Sequence, residues 1–412
     1  MIEEIGRRAR AASHELRQST GSTRQTALLE MAEGLIEAQA TVLEANAADM
    51  AQAREEGITG ALIDRLRLDE ARVAAMAAGL RSVASLPDPV GRETGGWSLD
   101  NGVKLHRVRV PLGVIAVIYE ARPNVTADAA GLCVRSGNAV ILRGSSYALS
   151  SNKAVAASIR ASLSRSGLPA DGVQLLEDTT RDGAKALMQA TEWVDLLVPR
   201  GGPGLIAAVE ADATVPTVID GAGNCHVYVD SGADLDKALS IVLNAKVQRP
   251  GVCNAAETLL VHEAVAEKFV AEAAQALMAE GVELRGDERT RELVPEISPA
   301  AEADWATEYL DLIMAVRVVP DLDTAIEHVR RYGTGHTEAI VTDDLAAADR
   351  FVGAVDTAVV AVNVSTRFTD GEEFGFGAEI GNSTQKLHVR GPMGLESLTS
   401  ERYVLYGDGQ VR

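Results

Sequence analysis

Apolar positions recur along this chain in three textures. From Thr23 to Glu56, the stretch TRQTALLEMAEGLIEAQATVLEANAADMAQAREE sets Leu28, Leu35, Ile36 and Leu43 at helical spacing. Gly57 follows, so the pattern predicts one long amphipathic helix. A second helix is expected after Asp69, ending before LPDP, where Pro87 and Pro89 cannot continue it. VKLHRVRV alternates Leu105, Val108 and Val110 with Arg and His, as a strand partly exposed to water does. Beyond Pro111 come short continuous apolar runs, GVIAVIY, AVIL, VQLL, VDLLV and PTVI, separated by helical patterns. Strands buried on both faces with crossover helices give that rhythm, so a doubly wound α/β domain is predicted, with ligands at the carboxyl ends of its strands.

The rhythm resumes after residue 225 with HVYV, the helix DLDKALSIVLNAK, then ETLLV, AVRVV, TEAIVT and AVVAVNV, which predicts a second α/β domain. SERYVLYG has a strand's composition with no helix after it. An unpaired edge is adhesive, so this strand is expected to pair with another, a partner subunit being one source. The chain carries no internal repeat and no low-complexity linker.

Composition narrows the function. A length of 412 residues suits two or three domains, and 46% hydrophobic residues suffice for several buried layers. The net charge of −20 repels phosphate backbones and anionic lipid heads, and 4% aromatics offer few stacking surfaces, so nucleic acid is not an expected partner. The N-terminal MIEEIGRRARAASHELRQ has no apolar signal region, and no apolar run reaches the roughly 20 residues that span a bilayer, so no membrane association is expected. Cys133, Cys225 and Cys253 lack CxxC spacing, and an odd number cannot all pair, which points to a reduced, cytoplasmic protein. The seven His residues show no HExxH or His-Cys spacing, so no metal is expected.

Three clusters could carry chemistry. Cys253 lies in QRPGVCNAAET, a Gly/Pro-bearing loop between a helical stretch and a strand, where a thiol can face a cleft. A free thiol of pKa about 8.5 needs activation, which Arg249 and backbone dipoles can supply; the alternative is a small buried hydrophobe. Cys133 follows small apolar residues in a helical pattern and reads as packing, while Cys225, beside an Asp-Gly-Ala-Gly-Asn turn, stays ambiguous. In YEARPNVT, Asn124 follows a buried strand, where its amide suits an oxyanion hole or an ordinary helix N-cap. In VPRGGPGLIAAV, Gly202, Gly204 and Ala207 satisfy G-x-G-x-x-A, which fits pyrophosphate contact or a tight turn equally.

Taken together, the blocks PLGVIAVIYEARPNVTADAA, VIDGAGNCHVYVD, QRPGVCNAAETLLVH, YGTGHTEAIVT and NVSTRFTDGEEFGFGAEIGNSTQKLHVRGPMGLESLTS resemble the aldehyde dehydrogenase superfamily, in its branch that reduces an acyl phosphate of glutamate. The resemblance spans nearly the whole chain and implies an aldehyde dehydrogenase-like α/β fold. Its parts would be an NADP-binding domain of residues 1–95 and 113–221, a catalytic domain of residues 222–392, and an oligomerisation hairpin and C-terminal strand of residues 96–112 and 393–412.

It implies Cys253 as nucleophile and Asn124 as oxyanion donor. Arg143, Gly144 and Ser145 would hold the adenosine ribose, with Arg143 gripping a 2′-phosphate. Gly201 and Gly202 would form the glycine turn near the cofactor, and Glu308 would hold the nicotinamide ribose. Arg122, Arg249 and Arg367 are the candidate substrate ligands, each also readable as a surface arginine paired to a local carboxylate. NADPH as cofactor, L-glutamyl 5-phosphate as substrate, a homo-oligomer and coupling to glutamate 5-kinase complete what the resemblance implies. One departure stands out: hydrolytic aldehyde dehydrogenases carry a Glu before Leu-Gly-Gly, whereas this chain has IDGAGN, with Asp220 nearest in place. A hydrolytic NAD-linked enzyme is the nearest rival reading.

Overall fold

The computed structural model describes residues 1–58 and 60–412. They fall into two compact units, residues 1–220 with 375–381 and 393–412, and residues 221–374 with 382–392.

Unit 1 opens with five helices, α1 (Ile2–Gln18), α2 (Gly21–Glu37), α3 (Gln39–Glu55), α4 (Gly60–Leu66) and α5 (Glu70–Ser85). The single helix expected over Thr23–Glu56 is therefore two, parted at Ala38, where ψ rises to 3°. Ile36 is 41% exposed while Leu28 and Leu35, in the same helix, are in the core. Asp69 starts α5 as expected, its side chain accepting from the Arg72 amide.

The hairpin β1 (Glu93–Ser98) and β2 (Lys104–Pro111) comes next, and then the alternation β3 (Val114–Tyr119), α6 (Asn124–Arg135), β4 (Ala139–Arg143), α7 (Leu149–Arg165), β5 (Val173–Leu175), α8 (Arg181–Met188), β6 (Leu196–Arg200) and α9 (Pro203–Asp212). The four strands form a parallel sheet in the order β5-β4-β3-β6. All six residues of β3 are buried, which explains the unbroken apolar run; each such Val or Ile contributes about 1.5–3 kcal/mol. The winding reverses at β3, so the crevice beyond the carboxyl ends of β3 and β6 is this sheet's switch point.

PTVI, expected as a further strand, makes only one bridge, Thr217 to Leu197. The Pro216 carbonyl and the Val218 N–H both bond Leu197, and Pro216 has no N–H with which to extend the ladder.

Unit 2 continues with β7 (Cys225–Val229), α10 (Leu235–Val247), β8 (Ala256–His262), α11 (Glu263–Ala279), β9 (Glu283–Gly286), α12 (Glu288–Leu293), β10 (Ser298–Pro299), β11 (Ile313–Val319), α13 (Leu322–Tyr332), β12 (Thr337–Val341), α14 (Leu345–Ala354) and β13 (Val359–Val362). These seven strands make a parallel sheet ordered β10-β9-β11-β8-β7-β12-β13, with β7 and β8 at its middle. Phe269, Leu277, Val227, Leu259 and Val316 fill the core between the sheet and α10 and α11. A short pair, β14 (Asn382–Ser383) with β15 (Gly391–Pro392), follows.

The last strand is β16 (Thr399–Tyr406), which belongs to unit 1. It pairs antiparallel with β2 over eight residues, Thr399 to Pro111 through Tyr406 to Lys104, giving a three-stranded sheet β1-β2-β16. The strand expected to seek a partner thus finds one within its own chain, and its neighbour β2 is partly exposed from Leu105 to Val110.

Candidate active site

Unit 2 places its candidate residues Cys253 and Arg249 at the amino ends of its central strands, opposite to the edge that the strand rule favours. The loop between α10 and β8 holds Cys253, closed by a bond from the Ala255 N–H to the Val252 carbonyl. Of the three cysteines only Cys253 is partly exposed; Cys133 and Cys225 are buried, and desolvation raises both of their thiols. The Cys253 loop is braced by the segment leading into β7. Gly223 passes so close that a Cβ there would lie 1.5 Å from the Cys253 carbonyl oxygen. The Cys225 thiol donates to that same oxygen at 3.2 Å.

Glu308 comes to the same place: its Oε1 accepts the Gly223 N–H at 2.7 Å. Arg367, from the segment after β13, donates through Nε to Gln248 at 2.9 Å and through Nη1 to the Asn254 side chain. Asn254 in turn donates to the Thr369 carbonyl at 2.8 Å. Burial first, and then the charge of Arg249, push the Arg367 guanidinium below its ordinary range, with Asp370 and Cys253 opposing. Cys253, Arg249, Arg367 and Glu308 are therefore gathered around one loop. Gly223, Asn254 and Thr369 escaped sequence reasoning, and Cys225 was left ambiguous there, although Gly223 and Cys225 lie in the turn IDGAGNC that already stood out.

In unit 1 the candidate residues line the carboxyl edge of the sheet. Asn124 is the first residue of α6, and Pro123 occupies the N-cap position, so Asn124 does not serve as an N-cap. Its Nδ2 donates to Asp128 Oδ2 at 3.0 Å, one turn on, which holds an otherwise exposed amide. Burial raises the Asp128 carboxyl to about 6, against the bond from Asn124 and the charge of Arg200. Arg122 precedes Asn124 and is half-buried, its N–H donating to the Glu120 carbonyl.

At the end of β4, Arg143 turns its Nη2 onto the carbonyls of Thr179 and Thr180, the latter at 2.9 Å. Desolvation holds its guanidinium below the ordinary range. Gly144 has a packing reason: a Cβ there would lie 2.1 Å from Asn152 Nδ2. At the end of β6, the Gly202 N–H donates to Glu120 Oε1 at 3.1 Å, and a Cβ at Gly201 would lie 2.8 Å from that carboxylate. The amide that the glycine motif would offer to a pyrophosphate is thus already taken by an anion. Asp220 is engaged by the Arg200 guanidinium.

Whether a nicotinamide dinucleotide fits this edge can be tested on unmet hydrogen bonds. Arg143 Nε and Ser145 Oγ are buried with no partner among the described residues, two residues apart along the chain at the end of β4. Glu120, beside the glycine turn, is an acceptor suited to hydroxyl groups. A ribose matches these donors and acceptors better than a phosphate resting on Gly202 would.

Comparison with known proteins decides the family. The sequence model of the aldehyde dehydrogenase family matches residues 1–309. The gamma-glutamyl phosphate reductase of Moorella thermoacetica is 56% identical over 411 residues, covering 100% of this chain and 98% of its own. The chain belongs to the gamma-glutamyl phosphate reductases of the aldehyde dehydrogenase family.

A crystal structure of gamma-glutamyl phosphate reductase from Thermotoga maritima matches with a TM-score of 0.98 at 47% identity, covering 100% of this chain and 99% of that one. An engineered glycolyl-CoA reductase with bound NADP+ shares the fold at a TM-score of 0.71 and 18% identity, over 98% of this chain and 96% of its own. The expected aldehyde dehydrogenase-like α/β architecture is therefore the observed one. As a member of this family the chain is an oxidoreductase, and the family uses a nicotinamide cofactor.

Proposed function

We propose that this enzyme reduces L-glutamyl 5-phosphate with NADPH to L-glutamate 5-semialdehyde and phosphate, the second step of proline biosynthesis from glutamate, through a thioester on Cys253. The observation that carries the reading is a single partly exposed thiol whose loop is flanked by two guanidinium groups, Arg249 and Arg367, in a chain 56% identical to a protein of that name. A substrate bearing a carboxylate and a phosphate calls for such cations in a molecule whose net charge is −20.

In this scheme the Cys253 thiolate adds to the acyl carbon, the C–O bond to phosphate breaks, and phosphate departs with the electron pair. Asn124 Nδ2 and the Cys253 N–H donate to the oxyanion of the tetrahedral intermediate. Bound NADPH supplies a hydride to the acyl carbon. The hemithioacetal on Cys253 then collapses, releasing the aldehyde and restoring the thiolate. Glu308 holds the nicotinamide ribose, Arg143, Gly144 and Ser145 the adenosine ribose, and Gly201 and Gly202 form the nearby turn. Arg122, Arg249 and Arg367 bind the substrate's anionic ends. An expected homo-oligomer, coupling to glutamate 5-kinase and a cytoplasmic location complete the proposal, the last supported by three free cysteines.

The hydrolytic alternative needs a carboxylate to activate water, and the nearest in sequence, Asp220, is bonded to Arg200. Phosphate-dependent reduction of NADP+ by L-glutamate 5-semialdehyde is the decisive assay. Aldehyde oxidation that proceeds equally without phosphate sinks the proposal. Cys253→Ser is expected to abolish turnover while leaving the circular dichroism spectrum and the NADP+ dissociation constant unchanged.

A further inference from the structure

Two fully buried charges lie behind the Cys253 loop and have no role in the scheme above. Lys246, in the last turn of α10, and Glu257, the second residue of β8, are both inaccessible to solvent, with Nζ 2.6 Å from Oε2. They bracket residues 248–255, so the ion pair closes the loop at its base. Removing two charges from water is costly, and apolar residues of the same volume would pack there as well. Stability alone gives little reason for the pair.

The other oxygen of Glu257 points elsewhere. Its Oε1 accepts the N–H of Leu310 at 3.2 Å. Leu310 has φ of 53°, a left-handed conformation that a bulky side chain rarely adopts unless its surroundings impose it. Two residues earlier stands Glu308, whose Oε1 takes the Gly223 N–H, and Gly223 presses on the Cys253 carbonyl. The Leu310 carbonyl also faces Gly251 of the loop, 3.6 Å from where a Cβ would be. A closed path of contacts therefore runs from Lys246 through Glu257, the Leu310 turn, Glu308 and Gly223 back to Cys253. Burial raises the Glu257 carboxyl to about 7 against the pull of Lys246, so this carboxylate depends on its partners for its charge.

We infer that Glu257 is a positioning residue that holds the Cys253 loop and the Glu308 carboxylate in register through the left-handed Leu310 turn, with Lys246 as its buried counter-charge. The inference rests on the reading of Cys253 as nucleophile and Glu308 as cofactor ligand. It adds a link between them that acts through neither substrate nor cofactor.

Two double variants separate positioning from packing. Lys246→Met with Glu257→Gln removes both charges and keeps an oxygen for the Leu310 N–H. Lys246→Met with Glu257→Leu removes both charges and the acceptor. Calorimetry gives the NADP+ dissociation constant, and iodoacetamide labelling without cofactor gives the reactivity of Cys253. In the Leu variant, NADP+ binding is expected to weaken about tenfold. Its kcat should fall about 100-fold, with Cys253 labelling at an altered rate. The Gln variant should stay within about threefold of the unaltered chain, since the acceptor that matters is retained.

Equal losses in both variants would show a structural pair and nothing more, and no loss in either would end the inference. Should the Leu variant fail to fold, Glu257→Asp keeps the charge for Lys246 and withdraws the oxygen from Leu310. An unchanged NADP+ dissociation constant in that folded variant would overturn the inference equally. Neither binding nor labelling requires the acyl phosphate. An unaltered enzyme without phosphate-dependent turnover therefore counts against the proposed reaction, while the contrast between variants still judges Glu257.

Discussion

Two single atoms define the proposed chemistry, a sulfur and an amide nitrogen. Asn124 Nδ2 is held by Asp128, so Asn124→Ala removes the proposed oxyanion donor without disturbing a helix cap. It should lower kcat by about 10²–10³, about 3 kcal/mol, with little change in the Michaelis constant, as steady-state kinetics will report. Gly223 offers a sharper test, because it is read from packing alone. A methyl group there would collide with the Cys253 carbonyl, and the neighbour is backbone, which cannot swing aside. Gly223→Ala is expected to displace the loop and cut kcat at least about 100-fold while circular dichroism stays native. Cys253 and Asn124 stand out as candidates in the sequence because each lies in a block with recognisable neighbours. Gly223 does not, since nothing in a string of residues says which glycine a distant loop will touch.

At the scale of elements, the helices ahead of the hairpin are tied to α6 by a buried cation. Arg24 of α2 is 1% exposed, and it reaches Asp88 at 2.7 Å and the carbonyls of Leu16, Ser19 and Arg135. Arg24→Ala should cost about 3 kcal/mol in urea unfolding, because the carboxylate and the three carbonyls lose a buried donor. Apolar runs located β3, β4, β5, β6, β7, β8, β11, β12 and β13, since a strand covered on both faces is mostly apolar. The same logic overreached at PTVI, where Pro216 limits pairing to one bridge, and it missed β9 and β1, whose residues Glu283, Arg285 and Gly95 do not read as buried strand. The division of Thr23–Glu56 at Ala38 was equally hidden, because alanine favours helix and only packing bends the chain there.

For the molecule as a whole, the acidic balance has a consequence in pH. Asp171 is bonded by Arg8 and then by Arg160, which hold its carboxyl at about 2, below the ordinary 3.8. The unfolded chain binds this proton more readily, so the contribution to stability is complete above about pH 3.8 and is lost as pH falls towards about 2. Urea midpoints measured across that window should fall for the unaltered chain and fall less for Asp171→Asn. Some properties were settled by the order of residues alone: the alternation of buried strands and helices, the family, and the block that carries the thiol. These are local patterns or long aligned blocks, and burial on both faces of a strand leaves its mark on most residues in it. Tertiary structure alone decided that β16 pairs with β2, that Arg143 turns to the Thr179 and Thr180 carbonyls, that Glu120 takes the Gly202 amide, and that Glu257 reaches Leu310. Each joins residues far apart along the chain, and which polar atom meets which is fixed only when the elements pack and every buried donor must find an acceptor.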